Sequence, residues 1–238
     1  MNRLFRGLMV STGVVLMLTG CASISVQPGS QYATKQMPKK VYVEVFSTDK
    51  AVINADREGK ELAEFKTGLQ NMMMAGITED MTERLVPAVD GRKHHPKPGE
   101  NAWVVRGQFV QVNQGSRALR GIVGFGAGGT KMLTKVQVYD LASNDPNPFL
   151  TFSTTGGSNA EPGAISAIAT TPLMIVIQAA ASSAGGIGHG VSEDTARTAR
   201  EITAMLSNYM YASGWIPKDK WIEPKAYTED MAPPPSAK

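Results

Sequence analysis

Cys21 is the only cysteine among 238 residues, and that limits the chemistry open to the chain. A lone thiol excludes an intrachain disulfide and any metal site built from several cysteines. What remains to it is nucleophilic chemistry at one sulfur. The three histidines add little. His94 and His95 are adjacent, so they share no face of a helix or strand, and no acidic or cysteine ligand stands at matching spacing. His189 lies in a glycine run. Gly124-x-Gly126-x-x-Gly129 formally matches a dinucleotide fingerprint. That fingerprint needs a helix behind it, whose N-terminus meets the pyrophosphate. Here a strand pattern follows, and no acidic residue ends a second strand about 20 positions on. A kinase glycine loop does lie between strands, but no H-R-D or D-F-G run follows. The glycines then serve close backbone approach and positive φ. Arg117 and Arg120 beside them are candidate partner contacts, because forked guanidinium groups and free backbone N–H groups together grip an anion. Ordinary solvated charge is the plainer reading of the pair. No nucleophile, base and acid come together, so the sequence predicts no catalytic activity, no cofactor and no metal.

The context of Cys21 gives its thiol a specific use. Met1 to Arg6 is short and basic, and Gly7 to Leu18 is uncharged and mostly apolar. That is signal-peptide length, short of the roughly 20 apolar residues of a membrane span. It ends in Leu18-Thr19-Gly20-Cys21, whose small residues let a peptidase reach extended backbone before the thiol. This resembles the lipobox of bacterial lipoproteins. The resemblance implies that residues 1–20 are removed and that Cys21 carries a diacylglyceryl thioether and an acylated amine. One acyl chain holds a protein marginally, at about 0.8 kcal/mol per buried CH₂, and several hold it stably. In Gram-negative lipoproteins an Asp after the cysteine retains the protein at the inner membrane. Ala22 stands there, so the resemblance favours the outer membrane, with the domain facing the periplasm.

Composition agrees with a folded domain and excludes other classes. Hydrophobic residues make up 42%, enough for a core and too many for a disordered chain. The formal charge is +3; without Arg3 and Arg6, 22 basic residues face 21 acidic ones, a net +1. That is no electrostatic footprint for a nucleic-acid binder.

Patterning divides the rest. Residues 21–39 are polar and carry Gly and Pro without a sustained period, which predicts a lipidated N-terminus and flexible tether. Residues 40–216 form one globular domain, and 217–238 a proline-rich tail that packs little except around Trp221. Within the domain, 40–46, 103–112, 131–139 and 149–155 alternate as strands. From 57 to 86, Leu62, Phe65, Leu69, Met73, Ile77, Met81 and Leu85 make one helical stripe, with Asp56 as N-cap and Pro87 as stop. Met72-Met73-Met74 reads as core filler plus one partly exposed Met. A second amphipathic helix spans 192–213, with Ser192 as N-cap, Glu193 and Asp194 in its first turn, and Gly214 ending it. The order β-α-β-β-β-α predicts an α+β sandwich: a mixed or mainly antiparallel sheet of about four strands with two helices packed on it.

Residues 162–192 lack any Asp, Glu, Lys or Arg. The dense apolar run at 173–181 is too short for a comfortable span, and Pro172 and the late glycines spoil a longer one. A helix packed in the domain is the expectation, with a small-residue subunit contact or membrane insertion as alternatives.

Val105-Arg-Gly-Gln-Phe, Gly115-Ser-Arg-Ala-Leu-Arg120, Gly124-Phe-Gly-Ala-Gly128, Lys135-Val-Gln-Val-Tyr-Asp140 and Thr155-Gly-Gly-Ser158 precede a Gly/Ala-rich run and an Ala-Arg-Glu-Ile helix. This series resembles a family of bacterial lipoproteins known only as a domain of unknown function, over about 40–213. The family brings no established activity, so no functional residue is carried over. The element order is also similar in outline to envelope lipoproteins of the penicillin-binding-protein activator and curli-secretion types, an analogy of fold alone. The leading expectation is a non-catalytic outer-membrane lipoprotein, attached to membrane lipid through Cys21, that binds a periplasmic or envelope protein partner. The alternative is a subunit of an oligomeric envelope or secretion assembly, with 162–192 as the subunit or membrane contact.

Overall fold

The computed structural model describes residues 23–26, 34–115, 130–143, 145–157, 172–182 and 187–224. The long alternating runs build the centre of a sheet. β5 (Trp103–Asn113), β6 (Lys131–Asp140) and β7 (Leu150–Gly157) form an antiparallel meander. On β6, Met132, Thr134, Val136 and Val138 are buried and the residues between them are not, the period of two that a strand imposes. The β5–β6 register shifts between Phe109 and Gln111, as at a bulge.

Four short strands complete a seven-stranded mixed sheet, in which β1 (Ser23–Val26), β7, β6, β5, β2 (Val41–Val43) and β4 (Ala88–Asp90) follow one another in that order and β3 (Val52–Asn54) pairs with β5 off this path. β1 runs antiparallel to β7; β2 and β3 run parallel to β5; β4 runs parallel to β2. The fold is the expected α+β arrangement, with more strands than the patterning gives. Strands of three or four residues are too short to display an alternation.

Three helices pack on one another, and two of them also pack on the sheet. α1 (Gly59–Arg84) buries Phe65, Leu69, Met73, Ile77 and Met81, the predicted stripe. Its N-cap is Glu58, not Asp56, and makes no side-chain cap bond. Met72, Met73 and Met74 are all buried, against the expectation of one exposed. The reason is that α1 is covered on more than one side. A Cβ on Gly76 would lie 3.0 Å from Ile177 Cδ1 and 3.1 Å from Ala199 Cβ, so two further helices press on it there.

One of these is α2 (Pro172–Ser182), from the charge-free segment. It buries Leu173, Met174, Ile177 and Ala181 and leaves Ile175 62% exposed. Its 11 residues reach about 17 Å, well short of a bilayer core of about 30 Å. No helix among the described residues is long and apolar enough to cross a membrane. The flanks 162–171 and 183–186 lie outside the described residues.

The other is α3 (His189–Ala212), which starts a turn before the predicted Ser192, with Gly188 at its N-cap. Gly214 has φ +74°; its N–H donates to Tyr211 O at 2.9 Å and that of Trp215 to Met210 O at 2.9 Å. This pair of bonds is a Schellman cap, and the positive φ is why glycine ends the helix.

Packed residues extend beyond 40–216 at both ends, at the C-terminal end around Trp221, where the tail was expected to pack if anywhere. Residues 23–39 do not form a tether throughout: Ser23–Val26 pairs with β7, Ile24 is 1% exposed, and the Thr34 N–H donates to Tyr209 Oη at 2.8 Å. The free edge of β7 and the buried Tyr209 hydroxyl are what these polar residues satisfy. At the other end the chain stays packed past 217. Ser207 Oγ accepts from the Ile222 N–H at 3.0 Å, Trp221 Nε1–H donates to Asn208 Oδ1 at 3.2 Å, and Ile222 is buried.

Candidate functional site

Cys21, Arg117 and Arg120 lie outside the described residues, so the structure does not bring them together with anything. What it does define is the end of the sheet from which they depart. Asn113 at the end of β5 pairs with Lys131 at the start of β6, and Lys131 with Gly157 at the end of β7. Asn54 of β3 pairs with Asn113, and Ser23 of β1 with Thr155. The 116–129 connection joins β5 to β6 here. At its root Gly115 has φ +75°, and its N–H donates to Asn113 Oδ1 at 2.8 Å.

The start of α3 rests on this end. A Cβ on Gly190 would stand 2.9 Å from Thr130 Cγ2, and one on Gly156 3.0 Å from Thr198 Oγ1. Bare backbone at both positions lets the helix sit close on β6 and β7. That contact buries Asp194, 1% exposed, and Glu193, 5% exposed. Both were expected in the first turn of the helix, where their charge favours the helix dipole. They face inward because the helix begins earlier and its polar side meets a threonine-rich layer. In that layer Thr134 Oγ1 and Thr154 Oγ1 lie 2.7 Å apart, paired across β6 and β7.

Burial raises the Asp194 carboxyl from 3.8 to about 6, against the lowering pull of a Thr130 hydrogen bond and the Arg197 charge. Arg197 Nη1 donates to Asp194 Oδ1 at 3.0 Å, and its Nη2 lies 3.6 Å from Glu193 Oε2. His189 Nδ1 is 3.1 Å from Glu193 Oε1. Asp194 Oδ2, Thr198 Oγ1 and Gln114 Oε1 are buried without a hydrogen-bond partner among the described residues. The cluster therefore holds a carboxyl that burial biases toward its protonated form, beside the Thr130 hydroxyl.

Further along α3, Asp80 of α1 is raised by burial, opposed by Arg84 at 3.5 Å and by a Thr203 hydrogen bond. Arg200 donates to Glu201 and, at 3.0 Å, to the carbonyl of Glu223. These groups bind α1, α3 and the C-terminal stretch to one another. His94 and His95 are exposed in the 91–101 loop at the opposite end of the sheet. Among the described residues no three His, Cys, Asp or Glu side chains are placed to hold a metal ion. Sequence reasoning missed the buried polar layer. Its one available signal was the recurrence of threonine at inward strand positions, Thr134 and Thr154.

Residues 41–172, more than half of the chain, match the sequence profile of DUF4410, a domain of unknown function. The chain belongs to this family. The DUF4410 match runs from β2 to the first residue of α2, so it includes most of the sheet and leaves out β1 and α3. No curated protein matches the sequence. Among solved structures, the chain is similar to PelC from Paraburkholderia phytofirmans, a dodecamer, at 8% identity and a TM-score of 0.35, covering 70% of this chain and 99% of that one. It is also similar to the hypothetical protein CT253 from Chlamydia trachomatis, at 10% identity and a TM-score of 0.23, covering 68% and 96%. Likeness at this level leaves function open.

Proposed function

We propose that this DUF4410 protein is a non-catalytic lipoprotein of the outer membrane, held by acylated Cys21, whose domain binds a periplasmic or envelope protein. The observation that carries the reading is the lone cysteine directly behind Leu18-Thr19-Gly20, at the end of a basic and then apolar leader. Mass spectrometry of the mature N-terminus, with fractionation of a Cys21→Ala variant, tests the anchor. An unmodified N-terminus at any other residue would sink it. Crosslinking in intact cells followed by pull-down identifies the partner.

A second reading is a subunit of an oligomeric envelope assembly. Ile175, 62% exposed on α2, favours it, as an apolar side chain on a charge-free helix face.

A further inference from the structure

We infer that the end of the sheet carrying Ser23, Asn113 and Lys131 rests in the phospholipid headgroup layer, so that the strands stand upright on the membrane and the 91–101 loop points away from it. This deepens the lipoprotein reading and rests on it. The decisive feature is how little chain separates the lipid from the fold. Ser23, Ile24, Ser25 and Val26 each hold a register partner on β7, and Ile24 is buried. Between Cys21 and this strand stands Ala22 alone. Two residues reach at most about 7 Å, whereas a tether out to Lys39 would reach about 60 Å. The headgroup region on each side of a bilayer is about 5–8 Å thick. A cysteine whose acyl chains are buried therefore holds Ser23 within that layer or at its outer edge.

Strand geometry then carries the rest of this end down with Ser23. Lys131 lies two strands across and two residues nearer the end of the sheet, about 12 Å away, and is exposed. It forms no ion pair among the described residues, so its ammonium is available to lipid phosphates. Asn54 and Asn113 complete the row with uncharged polar groups. The opposite end of β5 is about 33 Å away. There Glu100 accepts from the Tyr42 hydroxyl at 2.9 Å and lies 3.7 Å from Lys40 Nζ, and exposed Lys93 and Lys97 stand in the loop beside it, so the short link behind Cys21, not charge, decides which end meets the membrane.

The lipidated full-length protein in phospholipid vesicles tests this directly. Acylation blocks the sulfur of Cys21, so an introduced cysteine is the sole free thiol. Lys131→Cys and Lys97→Cys are both exposed positions and lose the same charge. Each is labelled with a fluorophore, and quenching by headgroup nitroxide lipids is read. The label at 131 is expected to be strongly quenched, and the label at 97 to keep the intensity it has over nitroxide-free lipid. Asn54→Cys, exposed at the same end, repeats the near reading should position 131 disturb folding. Equal quenching at 97 and 131, or none at 131 and 54 on a chain shown by mass spectrometry to be acylated, overturns the orientation and leaves the anchor standing. Absence of lipid on Cys21 overturns both.

Discussion

The ring of Phe46 occupies the space that a side chain at Gly107 would need: a Cβ built on Gly107 falls 2.1 Å from Phe46 Cε1. Phe46 follows β2 and is fully buried, and it packs on Phe109 with ring centroids 6.0 Å apart. Its backbone is fixed as well, since its carbonyl accepts from Gln70 Nε2–H at 3.0 Å. The ring therefore cannot swing aside cheaply. Gly107→Ala is expected to cost about 1–3 kcal/mol through overpacking, read from urea unfolding. The same substitution in a Phe46→Ala background should cost clearly less, because the clash is gone. Equal costs in both backgrounds would place the strain elsewhere.

Asp194 sets a direction for the dependence of stability on pH. Its carboxyl sits at about 6 in the folded chain against an ordinary 3.8. The folded state holds this proton more tightly than the unfolded state, so the contribution is fully present below about pH 4 and is lost as pH rises through 6. At about 1.36 kcal/mol per unit its size is on the order of 3 kcal/mol. Asp80 and Asp140, also raised by burial, act with the same sign. Asp194→Asn is expected to flatten the fall in stability between pH 4 and pH 7, measured by urea midpoints. A variant that keeps the full slope would assign it to the other two carboxyls.

The same residue marks where the sequence was hard to read. Long elements announce themselves: β6 alternates over ten residues, and α1 repeats its apolar stripe over seven turns. Ser192, Glu193 and Asp194 look like the exposed first turn of a helix, since those residue types cap and charge an N-terminus. Whether a polar stripe faces water or a polar patch of sheet depends on the partner surface, which the local sequence does not contain. Thr130, just before β6, Thr134 on β6 and Thr154 on β7 supply that surface from distant parts of the chain. β1 was lost for a different reason, since four residues with three polar neighbours resemble linker until the edge of β7 gives them hydrogen bonds. The candidate site suffered most, because Cys21, Arg117 and Arg120 were legible as residue types while their placement lies outside the described residues.

The charge-free helix separates the two functional readings. A lipid-free chain beginning at Ser23 is expected to be monomeric by light scattering. Ile175→Glu, on the exposed face of α2, should then change its stability by no more than about 0.5 kcal/mol. Ile177→Glu, fully buried against Gly76, should unfold it, since a buried unpaired charge is costly. An oligomer that Ile175→Glu dissociates would favour the assembly reading instead.

Ile24 decides whether the residues behind Cys21 are structure or tether. Its side chain is 1% exposed on a strand at the very edge of the sheet, in register with Thr154. If β1 holds in solution, Ile24→Ala removes buried methyl groups and leaves a cavity, at a cost of about 2 kcal/mol or more. If residues 23–39 were a tether, the same change would touch nothing and cost under about 0.5 kcal/mol. Hydrogen exchange gives a second readout that does not depend on the size of a cavity. The amides of β1 that bond to β7 should be protected in the wild type and lose protection in Ile24→Ala before β6 does, because edge strands open first while the central meander stays closed. Protection at β1 equal to that of an unstructured peptide would remove the edge strand and restore a reach of about 60 Å between lipid and domain.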